Sequence, residues 1–178
     1  FVACHQTVFL ETTDMLRDAV EGASFLLNTA ASKEEVWDTL PENVQRTLID
    51  KKMKFYIIDA YKVANETGMG GRINSVMQTC FFAISKILPR EKAIEMIKYA
   101  IKKTYGSKGE KIVQMNFEAV DRTIENLFEV AVPDAVTSTF NIRDAVPSNS
   151  PEFIKNVTGK IIAGFGDDLP VSLMPIDG

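Results

Sequence analysis

Three short runs, "FVAC" (Phe1–Cys4), "SFLLN" (Ser24–Asn28) and "KFYIID" (Lys54–Asp59), are apolar almost without a break. A strand with one wet face alternates between apolar and polar residues, whereas a strand covered on both faces does not. These runs therefore predict a parallel sheet enclosed between two layers. Parallel neighbours need crossover connections, and the intervening segments carry helical patterns. Leu10–Val20 has Leu10, Met15, Leu16, Ala19 and Val20 at helical spacing. "SKEEVWDTLPENVQRTLIDKK" opens with a Ser32–Glu35 capping box and holds Pro41 as a break or a first-turn residue. The expected class is α/β, with a mostly parallel sheet.

After the third strand the pattern turns to helix upon helix. "AYKVANE" is short and stops at Gly68, a position suited to the left-handed residue that ends a helix. The next helix, expected over about Arg72–Leu88, is apolar around most of its circumference, with Ser75, Gln78, Thr79 and Lys86 as its polar stripe. Pro89 opens a further amphipathic helix that Gly106 ends, and "EKIVQMNFEAVDRTIENLFEV" repeats the device. From Val130 onward, prolines, serines and asparagines give linker composition, and the last stretch reads as the lead-in to another domain. The whole is expected to be a Rossmann-like, three-layer domain over residues 1–130 with a helical second half, then an irregular linker over 131–178.

Composition removes several functions. A net charge of -4 argues against general nucleic-acid binding, which uses a basic surface. The longest apolar runs fall well short of the roughly 20 residues a membrane helix needs. Cys4 and Cys80 are the only cysteines and have neither zinc nor iron–sulfur spacing, so a reducing compartment is expected. The opening "FVACHQ" reads as a strand already in progress, which predicts a piece of something longer.

The densest candidate for chemistry is "ETGMGGRINSVMQT", Glu66–Thr79. It matches neither a dinucleotide fingerprint, because Ile73 stands where the third glycine belongs, nor a P-loop, because no Gly-Lys-Ser/Thr comes after it. Gly70 and Gly71 can leave amides bare at a helix start beside Arg72, which suits an anionic group. A tight helix–helix turn explains the same letters equally well. His5, Asn28 and Asp59 each lie at or just past a strand end and can face one crevice, or each can simply cap a turn. The lysines at 98, 102, 103, 108 and 111 fit a solvated helix face better than a ligand site.

Taken in order, "FVACH", "FLLNT", "KFYIIDA", "GMGGRINSVMQTCFF", "AIKKTYGSKGEKIVQMN" and "VAVPDA" resemble the gamma region of the pyruvate:ferredoxin (flavodoxin) oxidoreductases, over Phe1–Ala135 and more loosely to "DDLPVSLMPIDG". The resemblance implies a parent enzyme that makes acetyl-CoA, carbon dioxide and reduced ferredoxin or flavodoxin from pyruvate and CoA. It implies thiamine diphosphate, magnesium and [4Fe–4S] clusters held by other domains of that parent. It also implies that a preceding glycine-containing strand–turn–helix is missing, which leaves an exposed sheet edge, and that the isolated piece is inactive. A homodimeric parent in the cytoplasm, or in a hydrogenosome-type organelle, is the expected setting. CoA is assigned to the gamma region, and Gly71, Arg72 and Asn74 are the expected contacts, with Asn28 as a further one. A purely structural interface module is the competing expectation, and a stand-alone nucleotide-binding enzyme a third.

Overall fold

The computed structural model describes residues 1–175, so the end of the "DDLPVSLMPIDG" likeness lies outside the described residues. The regular elements are β1 (Val2–Cys4), β2 (Ser24–Asn28), α1 (Glu42–Asp50), β3 (Lys54–Ile58), α2 (Ala60–Glu66), α3 (Asn74–Ser85), α4 (Arg90–Tyr105), α5 (Glu110–Glu125), β4 (Phe128–Val130) and a short α6 (Gly159–Ile162). The sheet order is β1-β2-β3-β4, with the first three strands parallel and β4 antiparallel to β3. The α/β class with a mostly parallel sheet and a helical second half is as expected.

Side chains leave a strand alternately to either face, and both faces here are covered. Phe25, Leu27, Phe55 and Ile57 enter one core with Trp37, Leu40, Val44 and Leu48, while Leu26 and Ile58 enter the other with α2, α3 and Ala119 of α5. Phe25 and Phe55 are partners in register and stack with centroids 5.5 Å apart. Each is fully buried, a contribution of about 1.5–3 kcal/mol per side chain. A third cluster, centred on Ile97, Ile101, Val113 and Val120, joins α4 to α5 on the outside of that layer.

Several local expectations give way to tertiary structure. Leu10–Val20 forms no α-helix: a 3₁₀ turn covers Thr7–Glu11 and turns come after it. Thr12, Thr13 and Asp14 are poor helix formers, and Leu10 and Leu16 reach the core from irregular backbone, leaving Val20 exposed. The Ser32 hydroxyl does donate to Glu35 Oε2, at 2.8 Å, but the next element is the 3₁₀ turn Val36–Thr39, and α1 begins only after Pro41. The buried helix spans Asn74–Ser85 rather than Arg72–Leu88, because Lys86 adopts a left-handed conformation at φ 56°. Thr79, placed on its polar stripe by sequence, is buried and satisfied by donating to the Ser75 carbonyl at 2.7 Å. The helical pattern carried to Val130 stops at Glu125, and Phe128–Val130 instead pairs with β3, aligning Glu129 with Tyr56. An unpaired strand edge claims the segment that local propensity gave to a helix.

Beyond Ala131 the backbone is irregular until a π-helical turn, Ile154–Thr158, that runs into α6. This segment is tied to the sheet body. The buried Gln45 amide accepts from the Thr137 and Ser138 N–H groups at 2.8 and 3.0 Å and donates to the Trp37 carbonyl. Arg17 pairs with Asp168 at 2.8 Å and lies over the Phe165 ring, and Arg143 pairs with Glu11.

Candidate functional site

At the carboxyl ends of β1, β2 and β3 an open cleft of about 770 Å³ is lined by His5, Gln6, Thr7, Asn28, Thr29, Asp59, Tyr61, Lys62 and Asn65, among others. His5, Asn28 and Asp59, which from sequence could either face one crevice or simply cap turns, all line it. Parallel strands bring their carboxyl ends together, so residues far apart in sequence meet there. Asn28 forms the cross-brace of this edge. Its Oδ1 accepts from the Ala60 N–H at 2.9 Å and its Nδ2 donates to the His5 carbonyl at 3.0 Å, so one buried side chain links β2, the segment after β1 and the start of α2. Asp59 caps α2 by accepting from the Lys62 N–H at 2.9 Å. A smaller cavity of about 260 Å³ adjoins through Thr29, Asp59 and Lys62 and extends to Lys33, Asn126 and Phe128. Lys62 and Thr29 carry no signature a sequence reading would single out. Their spacing from Asp59 and Asn28, just past a strand end, is the one available signal.

The glycine stretch forms the turn between α2 and α3. Gly68 and Gly70 have φ of +72° and +61°, which only glycine adopts readily. Gly71 has no such φ, and a Cβ built there meets nothing within 4 Å. Arg72 is exposed, and its Nε donates to the Met69 carbonyl at 3.1 Å, which folds the guanidinium back along the turn. Asn74, also exposed, is the first residue of α3, and no side chain caps that helix. Gly71, Arg72 and Asn74 therefore form one exposed group. Asn28 stands apart from it: none of these three lines the crevice.

Other candidates resolve into structure. Cys4 and Cys80 are both buried in separate clusters, and burial pushes the Cys80 thiol up to about 12. Burial also raises the Cys4 thiol, against a smaller opposing effect from a backbone hydrogen bond with Gln6. Two separate, desolvated thiols do not fit a [4Fe–4S] cluster, which takes four thiolates. Among the described residues no three His, Cys, Asp or Glu side chains converge as a metal site. Of the basic cluster, Lys98 pairs with Asp121 at 2.7 Å and Lys108 lies over the Tyr105 ring. Among the described residues no helix is long and apolar enough to cross a membrane.

A family model described as pyruvate ferredoxin/flavodoxin oxidoreductase matches residues 1–126, and a second, described as a domain of unknown function, matches residues 139–178. The chain is 51% identical to a pyruvate-flavodoxin oxidoreductase of Rhodospirillum rubrum over its full length, and 45% identical to a pyruvate:ferredoxin oxidoreductase of Moorella thermoacetica over 99% of it. It spans 15% of the length of each relative. Among solved structures, a pyruvate oxidoreductase subunit of Thermotoga maritima shares the fold with a TM-score of 0.55 at 19% identity, over 71% of this chain and 62% of that one. The family match covers most of the residues that build the sheet and its helical layers, and the chain belongs to the pyruvate ferredoxin/flavodoxin oxidoreductase family.

Proposed function

We propose that this chain serves as the CoA-positioning part of an enzyme that converts pyruvate and CoA to acetyl-CoA and carbon dioxide while reducing ferredoxin or flavodoxin. The names of its relatives carry the pyruvate and the electron acceptor, and the turn before α3 supports the CoA role. An uncapped helix start presents unpaired amides and the positive end of a helix dipole to an anion. Arg72 adds a charged fork beside it, suited to a diphosphate, and Asn74 supplies an amide that can meet a pantetheine chain. These residues make and break no bonds. They hold the thiol carrier in place, a proximity effect. Thiamine diphosphate, magnesium and the iron–sulfur clusters belong to other domains of the parent, which is a homodimer, and a cytoplasmic setting suits the reduced thiols.

The observation that carries the reading is Gly71. Neither its backbone angle nor its neighbours demand a glycine, whereas close approach of a ligand to the amides would. The alternative, a structural interface module, rests on Gly68, where a Cβ would come 3.0 Å from Met115 Cε, so that glycine serves helix packing. In the whole parent enzyme, Arg72→Ala should raise the CoA concentration for half-maximal rate about tenfold, the loss of one charge-assisted contact. An unchanged CoA dependence would leave the interface reading standing instead.

A further inference from the structure

We propose that the outer face of α4, with the turn after it, is a docking surface for the carboxylate-rich face of the electron-carrier protein that the parent enzyme reduces. Residues 86–111 hold eight lysines and arginines against three acidic residues, whereas the rest of the chain holds 12 against 21. The chain is acidic as a whole and basic here. Lys98 pairs with Asp121. The other seven cations are exposed and take part in no ion pair among the described residues.

Helical spacing organises this charge. Ala93, Ile97 and Ile101 bury one face of α4, and Ile97 and Ile101 share a cluster with Val113 and Val120 of α5. On the outer face Lys92, Met96, Tyr99 and Lys103 come at i, i+4, i+7 and i+11 and form one exposed stripe. Met96 and Tyr99 are 50% and 63% exposed, two large apolar side chains standing in water between lysines. Lys108 and Lys111 carry the charge on past the end of the helix. An apolar centre with a charged rim is the anatomy of a protein contact, and tyrosine and methionine are enriched at such centres. A permanent contact of the domain-core type would strip water from cations that have no internal counter-charge, and such contacts are depleted in lysine. A brief encounter of small area leaves the lysine heads in water and uses them at a distance to steer, as redox partners do. A cationic face of this kind selects a carboxylate-rich one.

The identity of that partner rests on the pyruvate reaction proposed above, since the relatives are named for flavodoxin and ferredoxin. The test is steady-state kinetics of the whole parent enzyme with pyruvate and CoA, using flavodoxin, ferredoxin or methyl viologen as acceptor. Methyl viologen is a small dye that needs no protein-sized face. Lys92→Glu/Lys103→Glu should lower kcat/KM for the protein acceptor about tenfold at low salt, through slower steered association. Lys92→Gln/Lys103→Gln, which puts no negative charge at the C-terminal end of α4, should lower it about threefold. Both should leave the methyl viologen rate and the CoA KM within about twofold of wild type. Raising ionic strength from about 0.01 to 0.15 M, which shortens the screening length from ~30 to ~8 Å, should slow the wild type with its protein acceptor and affect the glutamate pair less. Tyr99→Ala should lower the same kcat/KM a few-fold with the salt dependence intact. Protein-acceptor kinetics unchanged in every variant would overturn the docking surface and leave the pyruvate reading standing. Equal losses with protein and dye would overturn it too, because the face would then serve the parent's own assembly. A parent that reduces methyl viologen from pyruvate but neither protein would overturn both the docking surface and the choice of acceptor.

Discussion

The crevice and the glycine turn are both polar, exposed edges of one α/β body, but they are built in opposite ways. The turn is made by consecutive residues whose conformation is local: two glycines with positive φ, an arginine folded onto its own turn, and a helix start. The crevice draws His5, Asn28, Thr29, Asp59 and Lys62 from the ends of three different strands, and a single buried amide holds them in place. A local turn can lose a side chain and keep its shape. A convergent cleft depends on its brace, and that difference can be measured.

The largest effect is expected at the brace. Asn28→Ala removes two hydrogen bonds and strands the Ala60 N–H in a buried place, a cost of about 3 kcal/mol. It should speed amide exchange of the 60–66 peptide in the parent enzyme about a hundredfold through local opening. Unchanged protection there would mean that the cleft does not rest on Asn28. Arg72→Ala comes next, with its roughly tenfold CoA effect and no change in protection of α2 or α3, because its one side-chain bond is to a carbonyl of its own turn and to neither helix.

The glycines should then separate within the turn itself. Gly70→Ala places a side chain at φ +61° and should cost about 1 kcal/mol, seen as a lower melting temperature of this domain's transition. Gly71→Ala meets no neighbour, so its stability change should stay within about 0.5 kcal/mol while the CoA KM rises a few-fold. The reverse order would make Gly71 the structural residue and Gly70 the ligand-facing one. The smallest expected signal is at Cys80. With its thiol pushed up to about 12 from the ordinary 9.0, less thiolate exists at every pH between those values than in the unfolded chain. Iodoacetamide at pH 9 should leave Cys80 unlabelled in native enzyme and label it in urea, as peptide mapping would read. Rapid native labelling would mean that the α3 core opens readily.

The three parallel strands are legible in the sequence almost to the residue, because buried strands leave continuous apolar runs that need no context. Helices α2, α4 and α5 are legible for a similar reason: their periodicity and their Gly68, Pro89 and Gly106 boundaries are local signals. Leu10–Val20 misleads because Leu10 can reach a core from a 3₁₀ turn, and Leu16 from the turns after it, as well as from a helix. Phe128–Val130 misleads because only the vacant edge of β3 makes that stretch a strand.

The candidate site divides along the same line. Gly70, Gly71, Arg72 and Asn74 stand out as a group since they are neighbours in the chain. His5, Asn28 and Asp59 stand out as three strand-end positions, from the rule that parallel strands share a carboxyl edge. Lys62, Thr29 and the Asn28 brace do not, since their significance lies in what stands opposite them. By itself the sequence determined the class of fold, the buried strands and the glycine turn, all set by forces acting over a few residues. Tertiary structure alone decided which edge segment pairs with β3, that Gln45 ties the later segment down, and that one asparagine holds the cleft, because hydrogen bonds between distant segments exist only once the chain has brought them together.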